Sequence, residues 1–314
     1  MSTLAPARGL PPRRAAGPLR RLLRGPWLLL IPAAVVVLAL TGWPLIQLVI
    51  MSTQEFGRAQ IFGAPPEFVG LGNYLDVLGD PAFWAVLGRS VLFAGANVLA
   101  TMGLGIAIAV LLTRLARVMR TVVSIGLLLA WAMPPLSATV VWGWMFDTRA
   151  GVVNYLLSQL PGVDLIGHSW LFEPLSFFFV ATVIITWQSV PFVAITVYAG
   201  LTQVPGEVLE AAQLDGTNGW QRFRLVTVPF VRPVLLVLLM LQIIWDIRVF
   251  TQIKALQTIG GVQEQTTTIG VYIYTVSTAG GNLGAGGAIA VILVLLMIVP
   301  AVLYIRSTLR QEES

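Results

Sequence analysis

The sequence lacks cysteine altogether and contains one histidine, His168. Without cysteine, the chain can hold no disulfide framework, no thiolate metal site and no cysteine nucleophile. A single histidine also excludes a His–His metal pair and the H-E-x-x-H motif of zinc proteases. Because no G-x-x-x-x-G-K-[ST] run is present, the chain has no P-loop to hold nucleotide phosphates. These absences predict that the chain is not an enzyme and binds no metal or other cofactor itself.

Charged residues are also scarce. They make up 11% of the 314 residues, whereas hydrophobic residues make up 57%. Soluble domains average about 25% charged residues, and a folded soluble chain of this size needs a polar exterior. The composition therefore predicts an integral membrane protein. The net charge of +5 is assigned to the membrane surface and not to nucleic acid.

Six apolar stretches are long enough to cross a bilayer, which takes about 20 residues per helix. They cover residues 27–50, 87–112, 121–146, 175–200, 233–252 and 284–306. The predicted fold class is an all-α membrane protein with six transmembrane helices. The first stretch is too long for the apolar part of a cleaved signal peptide, which predicts a retained anchor. Three further segments are predicted to be a disordered basic tail, an external loop and a second tail, over residues 1–26, 51–86 and 307–314.

The basic residues lie mainly on one side of the predicted spans. Fourteen of the 19 Lys and Arg residues precede the first stretch, follow the sixth, or lie between the second and third or the fourth and fifth. Because basic residues favour cytoplasmic loops, both termini are predicted to be cytoplasmic. On the opposite side, segments 68–74 and 80–84 predict a turn that leads into a short interfacial helix.

The predicted cytoplasmic loop 201–232 carries helix signals of its own. Pro205 suits a first helical turn, and Glu207 favours the positive end of the helix dipole. Gly216 can provide a left-handed stop about three turns later. These signals predict a short helix on the cytoplasmic face, followed by a turn. Leu209 and Leu214 would give this helix apolar contacts.

A second short helix is predicted to follow that turn. Asn218 can cap it, with Gln221 forming a weak capping box. Pro229 is predicted to end this helix, and Pro233 to open the fifth span. An alternative interpretation is an interfacial amphipathic segment that only connects two spans.

The same loop resembles a motif of bacterial ABC importer permeases. Glu210-Ala211-Ala212, Gly216 and the run 226–229 match the spacing of the E-A-A-x3-G-x9-I-x-L-P loop, with valine at Val226 and Val228. The resemblance implies the type I ABC importer permease fold, with residues 87–306 as its core, and a helix that docks on a separate ATP-binding subunit. The docking residues it implies are Glu207, Glu210, Ala211, Ala212, Leu214, Asp215, Gly216 and Pro229.

Further segments resemble the maltose- and trehalose-type sugar permeases. They are residues 68–74, 245–250, 256–261 and 266–267, although Val262 stands where that subfamily usually has proline. The resemblance implies a subunit of the bacterial plasma membrane that forms half of a pathway for a di- or oligosaccharide. It also implies a second permease, two ATP-binding subunits that use ATP and Mg²⁺, and an external solute-binding lipoprotein. The remaining expected contacts are with membrane lipid.

Polar and aromatic residues within the spans are candidates for the substrate pathway. A carboxylate at membrane depth is costly unless paired or hydrated, so Asp246 is a functional candidate. Trp187, Gln188 and Pro191 are predicted to interrupt the fourth span and line a cavity. Alternatively, Asp246 and Arg248 reach water at the interface, and the tryptophans belong to an aromatic belt. The full set of candidates is Asn97, Trp187, Gln188, Gln242, Trp245, Asp246 and Phe250.

Other classes of membrane protein remain as alternatives. An ion-coupled secondary transporter would use ionisable residues within its spans and often inverted repeats. An importer permease for a solute other than a sugar would keep the loop motif. A membrane enzyme would need a nucleophile with its base or a metal motif, and neither is evident. A purely structural subunit is the last alternative.

Overall fold

The computed structural model describes residues 27–312, except for the side chains of residues 27–29, 303, 305 and 307–312. The predicted disorder of residues 1–26 lies outside the described residues. The chain divides into two compact units after Met51. The described residues are mainly helical, and the helices are numbered below in chain order.

In the first unit, the described residues form one apolar helical stretch. Helix α1 covers Trp27–Val37, a π-helical turn covers Leu38–Gly42, and helix α2 covers Trp43–Ser52. The widened turn lies just before Pro44, whose ring would otherwise crowd the preceding carbonyl of the helix. This stretch is long and apolar enough to cross a membrane, which confirms the first predicted span.

The second unit opens with a small strand pair that the sequence did not predict. Strand β1, Gln54–Glu55, pairs antiparallel with strand β2, Glu67–Phe68. Helix α3, Arg58–Ile61, lies between them. The fold is therefore not purely α-helical. Helix α4, Gly72–Gly79, follows the strand pair.

Helix α5 runs from Pro81 to Arg114 and forms the second span. Asp80 caps it by accepting a hydrogen bond from the Ala82 backbone N–H at 2.9 Å. The predicted short interfacial helix after residue 80 is wrong, because Pro81 is the first residue of this 34-residue helix. Proline suits that position, since the first helical N–H has no partner within the helix.

The third span is broken rather than straight. Helices α6, Arg117–Ala132, and α7, Pro135–Met145, are bent by 101° relative to each other. The sequence predicts a single span over residues 121–146 here. Pro134 and Pro135 cause the difference, because neither has an N–H for the helix and each disfavours the α conformation in the preceding residue.

The segment after α7 is folded on itself. Asp147 accepts the backbone N–H groups of Ala150 and Arg149, and these bonds lower the pKa of its carboxyl. Helix α8, Val152–Leu157, follows. His168 lies edge-on to the ring of Trp170, with 4.9 Å between ring centroids. The only histidine of the sequence is thus a loop residue on an aromatic neighbour.

The fourth span is a continuous helix, α9, over Pro174–Leu201. Pro191 lies inside it without breaking it, so the predicted interruption of this span is wrong. Helix α9 packs along α5, and the two helices lie close together at Gly105. A Cβ atom at Gly105 would lie 2.5 Å from Cγ1 of Val193, so only glycine allows this spacing. Such close packing supports α9 at Pro191, which has no backbone N–H to donate within the helix.

The loop after α9 forms two short helices, α10 at Gly206–Leu214 and α11 at Gly219–Arg222. A π-helical turn, Phe223–Thr227, then leads directly into helix α12, Val228–Ile247. Two proline predictions are therefore wrong. Pro229 does not end a helix and Pro233 does not open the span, because the widened turn removes the clash before Pro229 and the helix continues.

The chain ends with a series of helices that complete the bundle. They are α13 Thr251–Ile259, α14 Gln263–Thr266, α15 Ile269–Tyr274 and, after a π-helical turn at Thr275–Ala279, α16 Leu283–Glu312. Within residues 27–312 there are five helices that are long and apolar enough to cross a membrane, or six if the bent pair α6–α7 counts as one span. The predicted number of six spans is confirmed on that count.

Candidate functional site

A cavity of about 580 Å³ lies at the break in the third span. We call it the break cavity. It is bounded by the ends of α6 and α7, the middle of α9, and the junction between α12 and α13. The side chains and backbone that line it are Trp131, Ala132, Met133, Pro134, Pro135, Ile185, Gln188, Ser189, Trp245, Asp246, Arg248, Val249, Phe250, Thr251 and Gln252.

Two amide side chains connect three of these elements. Gln188 donates from Nε2 to the Met133 carbonyl oxygen at 2.8 Å. Its own Oε1 accepts from Nε2 of Gln252 at 3.2 Å. The first bond satisfies a carbonyl at the break in the third span, where a lost partner would cost about 1–3 kcal/mol. The two glutamines therefore hold the break against α9 and α13.

A carboxylate forms a second polar feature of the break cavity. Both oxygens of Asp246 accept from Nε2 of Gln242 at 3.0 Å. Asp246 is only 2% exposed and Gln242 1%, so the alternative in which Asp246 reaches water at the surface is not what the structure shows. Within the described part of the chain, no Lys or Arg nitrogen lies within 4.0 Å of this carboxylate. Arg248 is exposed and also lines the cavity.

Three aromatic residues, Trp131, Trp245 and Phe250, also line the cavity. Phe192 packs between Trp131 and Trp245, with centroid separations of 6.1 Å and 5.4 Å. Phe250 lies 5.4 Å from the ring of Tyr274. Indole and phenyl rings thus face the same space as a carboxylate and two amides.

The structure brings most of the predicted pathway residues together. Gln188, Trp245, Asp246 and Phe250 line the break cavity, and Gln242 lies directly behind Asp246. Four of these residues lie within residues 242–250, so only the proximity of Gln188 to them is hidden in the sequence.

Two predicted pathway residues lie elsewhere. Asn97 is fully buried and donates to the Phe93 carbonyl of its own helix at 2.8 Å. Trp187 packs edge-on against Trp142, with 5.8 Å between centroids. One helical position separates Trp187 from Gln188, and that step of about 100° turns its ring away from the cavity.

Several lining groups are not among the candidates predicted from the sequence. They are Trp131, Gln252 and the Met133 carbonyl. The sequence does contain a signal for the exposed Met133 carbonyl, because Met133-Pro134-Pro135 falls within an apolar stretch. A proline pair in a span frees backbone groups, which then need another hydrogen-bond partner. No comparable local signal marks Trp131 or Gln252.

A second candidate surface is the hairpin of residues 206–222, formed by α10 and α11. Gly216 has a φ of +81°, which favours glycine. Its N–H donates to the Gln213 carbonyl at 3.1 Å, and the Thr217 N–H donates to the Ala212 carbonyl at 3.2 Å. This pair of bonds is the Schellman motif that ends a helix. The predicted glycine stop is confirmed.

The second helix of the hairpin is capped as the sequence predicts. Asn218 and Gln221 form a reciprocal capping box with both hydrogen bonds at 2.9 Å. Arg222 donates from Nη1 to Oε1 of Gln213 at 3.0 Å, which fastens the second helix to the first. The hairpin is therefore held together by its own residues.

The predicted docking residues are mostly exposed. Leu214 is 89% exposed, whereas Ala212 faces inward at 8%. Pro229 lies outside the hairpin on α12. The other members of the set are exposed as well, namely Glu207, Glu210, Ala211, Asp215 and Gly216. Leu214 thus places an exposed apolar side chain next to the carboxylate of Asp215.

Several apolar spans surrounding a polar cavity, together with an exposed hairpin between two of them, define a multi-pass membrane permease. Comparison with protein families places it more closely. The chain belongs to the family described as the binding-protein-dependent transport system inner membrane component, which matches residues 101–308. The resemblance to ABC importer permeases and the localisation in the inner membrane are confirmed.

Two relatives illustrate the range of this family. The chain is 43% identical over 288 residues to the diacetylchitobiose uptake system permease protein DasB of Streptomyces coelicolor, which covers 92% of this chain and 88% of that protein. It is 32% identical over 283 residues to the trehalose/maltose transport system permease protein MalF of Thermococcus litoralis, which covers 89% of this chain and 92% of that protein. Both relatives are named as transport permeases.

Solved structures confirm the fold. The chain is similar to a chain of a bacterial ABC transporter involved in the import of the acidic polysaccharide alginate, with a TM-score of 0.75, 20% identity, and coverage of 93% of this chain and 98% of that one. A second structure shows an alginate ABC transporter in complex with a periplasmic protein that carries an alginate pentasaccharide. Its TM-score is 0.76 at 21% identity, and it covers 91% of this chain and 95% of that one. The predicted type I importer permease fold is confirmed.

Proposed function

We propose that this chain is a transmembrane subunit of an ATP-driven importer and forms half of a pathway for a di- or oligosaccharide. The break cavity carries the proposal. Its volume of about 580 Å³ falls within the roughly 300–1,000 Å³ of small-molecule sites. The relatives named for diacetylchitobiose and for trehalose/maltose support the substrate class.

The lining of the break cavity suits carbohydrate chemistry. Asp246 offers a carboxylate that can accept from hydroxyl groups, and Gln188 and Gln252 offer amides that both donate and accept. The indole rings of Trp131 and Trp245 offer flat apolar faces for the C–H surfaces of a sugar ring. A site with these groups matches hydroxyls by hydrogen bonds and ring faces by packing.

Transport through the cavity needs an energy source outside this chain. The sequence has no P-loop, so we assign ATP and Mg²⁺ to two separate ATP-binding subunits. The 206–222 hairpin is their docking surface in this proposal, with Leu214 and Ala211 as exposed apolar contacts and Glu210 as an anionic one. The chain itself then binds no cofactor and catalyses no reaction.

The remaining parts of the importer follow from the same arrangement. A second permease supplies the other half of the pathway. The hairpin and both termini face the cytoplasm in this proposal, because the basic residues are concentrated there. The opposite side, with segments 52–80 and 146–173, then receives the external solute-binding protein. The complex of the alginate transporter with a periplasmic protein supports that role.

Solute uptake by cells with and without this chain tests the proposal. We expect loss of the chain to abolish uptake of one labelled di- or oligosaccharide from a panel that also includes amino acids and dipeptides. In the assembled importer, Trp131→Ala should then raise the KM for that sugar by roughly two- to twelvefold, the equivalent of about 0.5–1.5 kcal/mol for one aromatic contact.

Trp144→Ala is the matched control, because Trp144 is 68% exposed and lies outside the break cavity. Uptake of an amino acid in place of any sugar would contradict the proposed sugar substrate but would leave the proposed importer role unchanged. Uptake driven by an ion gradient without ATP would support the secondary-transporter alternative and contradict the proposal as a whole.

A further inference from the structure

A long apolar groove follows the contact between α5 and α9, apart from the break cavity. It consists of two adjoining cavities of about 730 Å³ and 600 Å³ that share Phe179 and Thr182. We call it the α5–α9 groove. Its α5 wall follows one face of the helix, and its residues are Arg89, Leu92, Phe93, Ala96, Ala100, Leu104 and Ile108. From Arg89 to Ile108 the groove is about 28 Å long at the rise of an α-helix.

Among the described residues, Arg89 is the one charged residue that lines the groove, and it lies at one end. Arg89 is half-buried and donates from Nη1 to the backbone carbonyls of Thr267, at 2.9 Å, and Glu264, at 3.3 Å. Both bonds use the same nitrogen. Between residues 27 and 312 no carboxylate lies within 4.0 Å of this guanidinium. Its Nη2 and Nε hydrogens therefore remain for a ligand, since a guanidinium has five N–H donors.

Arg89 also lies at the depth expected of a lipid headgroup. Helix α5 has 34 residues and is about 51 Å long, whereas the hydrocarbon core of a bilayer is about 30 Å thick. If the helix is centred in the bilayer, it therefore extends about 10 Å beyond the hydrocarbon core at each end. Arg89 is about 12 Å from the start of the helix at Pro81, which places it at the edge of the core.

We propose that the α5–α9 groove binds one acyl chain of an anionic glycerophospholipid, with the lipid phosphate on Arg89. A guanidinium binds phosphate oxygens in a bidentate manner, and the apolar walls bury the chain. The groove is longer than the roughly 15 Å of one leaflet, so a chain fits without reaching Ile108. A second protein helix in the groove would instead cover the remaining Arg89 donors without offering a negative charge.

Native mass spectrometry of the purified importer tests this site. The complex is equilibrated in micelles with equal amounts of phosphatidylglycerol and phosphatidylcholine, and the retained lipid is counted. We expect at least about tenfold more phosphatidylglycerol than phosphatidylcholine, the equivalent of about 1.4 kcal/mol. Arg89→Gln should bring the ratio to about one, and Arg89→Lys should keep a preference. Arg149→Gln is the control, because Arg149 is an exposed loop residue outside the groove.

A second pair of variants tests the apolar part. Ala96→Trp fills the groove and should lower retention of both lipids, whereas Ala107→Trp changes an exposed alanine of α5 outside it. Equal retention of the two lipids by the wild type, or an unchanged ratio in Arg89→Gln, would overturn the proposal. Displacement of the lipid by millimolar inorganic phosphate would show that the site binds simple anions and is not specific for a lipid.

The absence of native cysteine allows one further check. In an Ala96→Cys variant, the introduced thiol is the only one in the chain. We expect a lipid-soluble maleimide to label it in the assembled importer. Cross-linking to a cysteine of the second permease, with no labelling from the membrane, would show that a protein helix covers the groove and would overturn the proposal.

Discussion

The break cavity and the 206–222 hairpin are built in opposite ways. The cavity takes its lining from three segments that are far apart in the sequence, at residues 131–135, 185–189 and 245–252. The hairpin is formed within a single segment by its own caps and one side-chain bond between its helices. The cavity depends on how whole helices pack, whereas the hairpin depends on local turn chemistry. A change in one should therefore leave the other intact.

The largest effect is expected from Gly216→Pro in the hairpin. Proline fixes φ near −65°, but Gly216 has a φ of +81°, and its N–H is needed by the Gln213 carbonyl. A cost of about 3 kcal/mol corresponds to a loss of docking by roughly a hundredfold. We expect the variant to insert in the membrane but to lose the ATP-binding subunits on affinity purification, and with them uptake.

Gly219→Pro is the matched control for this prediction. Gly219 is the first residue of α11, where the N–H has no partner within the helix, and proline is tolerated there. A Cβ atom at Gly219 would have no neighbour within 4 Å. Normal recovery of the ATP-binding subunits with Gly216→Pro would contradict the docking role of the hairpin.

A smaller effect is expected from Asp246→Asn in the break cavity. The amide keeps the size of the side chain but removes a charged acceptor, and hydrogen bonds to charged groups contribute about 1.5–3 kcal/mol. We expect the transport efficiency kcat/KM to fall by at least roughly tenfold, with full recovery of the ATP-binding subunits. Asp164→Asn, in an exposed loop, should change neither quantity. Unchanged uptake kinetics would remove Asp246 from the pathway.

The smallest effect concerns the glutamine that joins the break to α9. Gln188→Leu leaves the Met133 carbonyl without its donor and should destabilise the protein by about 1–3 kcal/mol. This corresponds to a fall in Tm of a few degrees, at about 2–4 °C per kcal/mol for a large chain. Thermal unfolding in detergent measures it. Gln203→Leu, at an exposed position two residues after α9, is the control, and equal Tm values for both variants would show that the bond does not support the break.

The hairpin could be predicted almost completely from the sequence, because its signals are local. Gly216 and the Asn218–Gln221 capping box each act within four residues, so the sequence shows both partners together. The predictions for Pro229 and Pro233 failed just after the hairpin. Pro229 is accommodated by a π-helical turn, and no single residue in the sequence indicates such a turn. The six spans were predictable for a different reason, since their length and apolar composition are set by the bilayer.

The break cavity was predictable only in part. Asp246 and Gln242 are four residues apart on one helix, so their contact follows from helix geometry. The contact between Gln188 and Met133 joins different spans. The Pro134-Pro135 pair signals a break, but it gives neither the 101° bend nor the side chain that meets the exposed carbonyl. The continuity of helix α9 through Pro191 likewise involves packing between spans, here against Gly105 of α5. Tertiary contacts of this kind decide which polar residues share a cavity.

The broken third span also has a consequence for how the protein is made. Helix α6 has 16 residues and α7 has 11, and each is shorter than the roughly 20 residues that insertion as a separate helix requires. The insertion machinery must therefore accept the two together as one segment. The donor that satisfies the Met133 carbonyl is Gln188, which is synthesised later and belongs to the next span. The bend should thus reach its final form only after the fourth span has entered the bilayer, so that the order of synthesis becomes part of how this cavity is assembled.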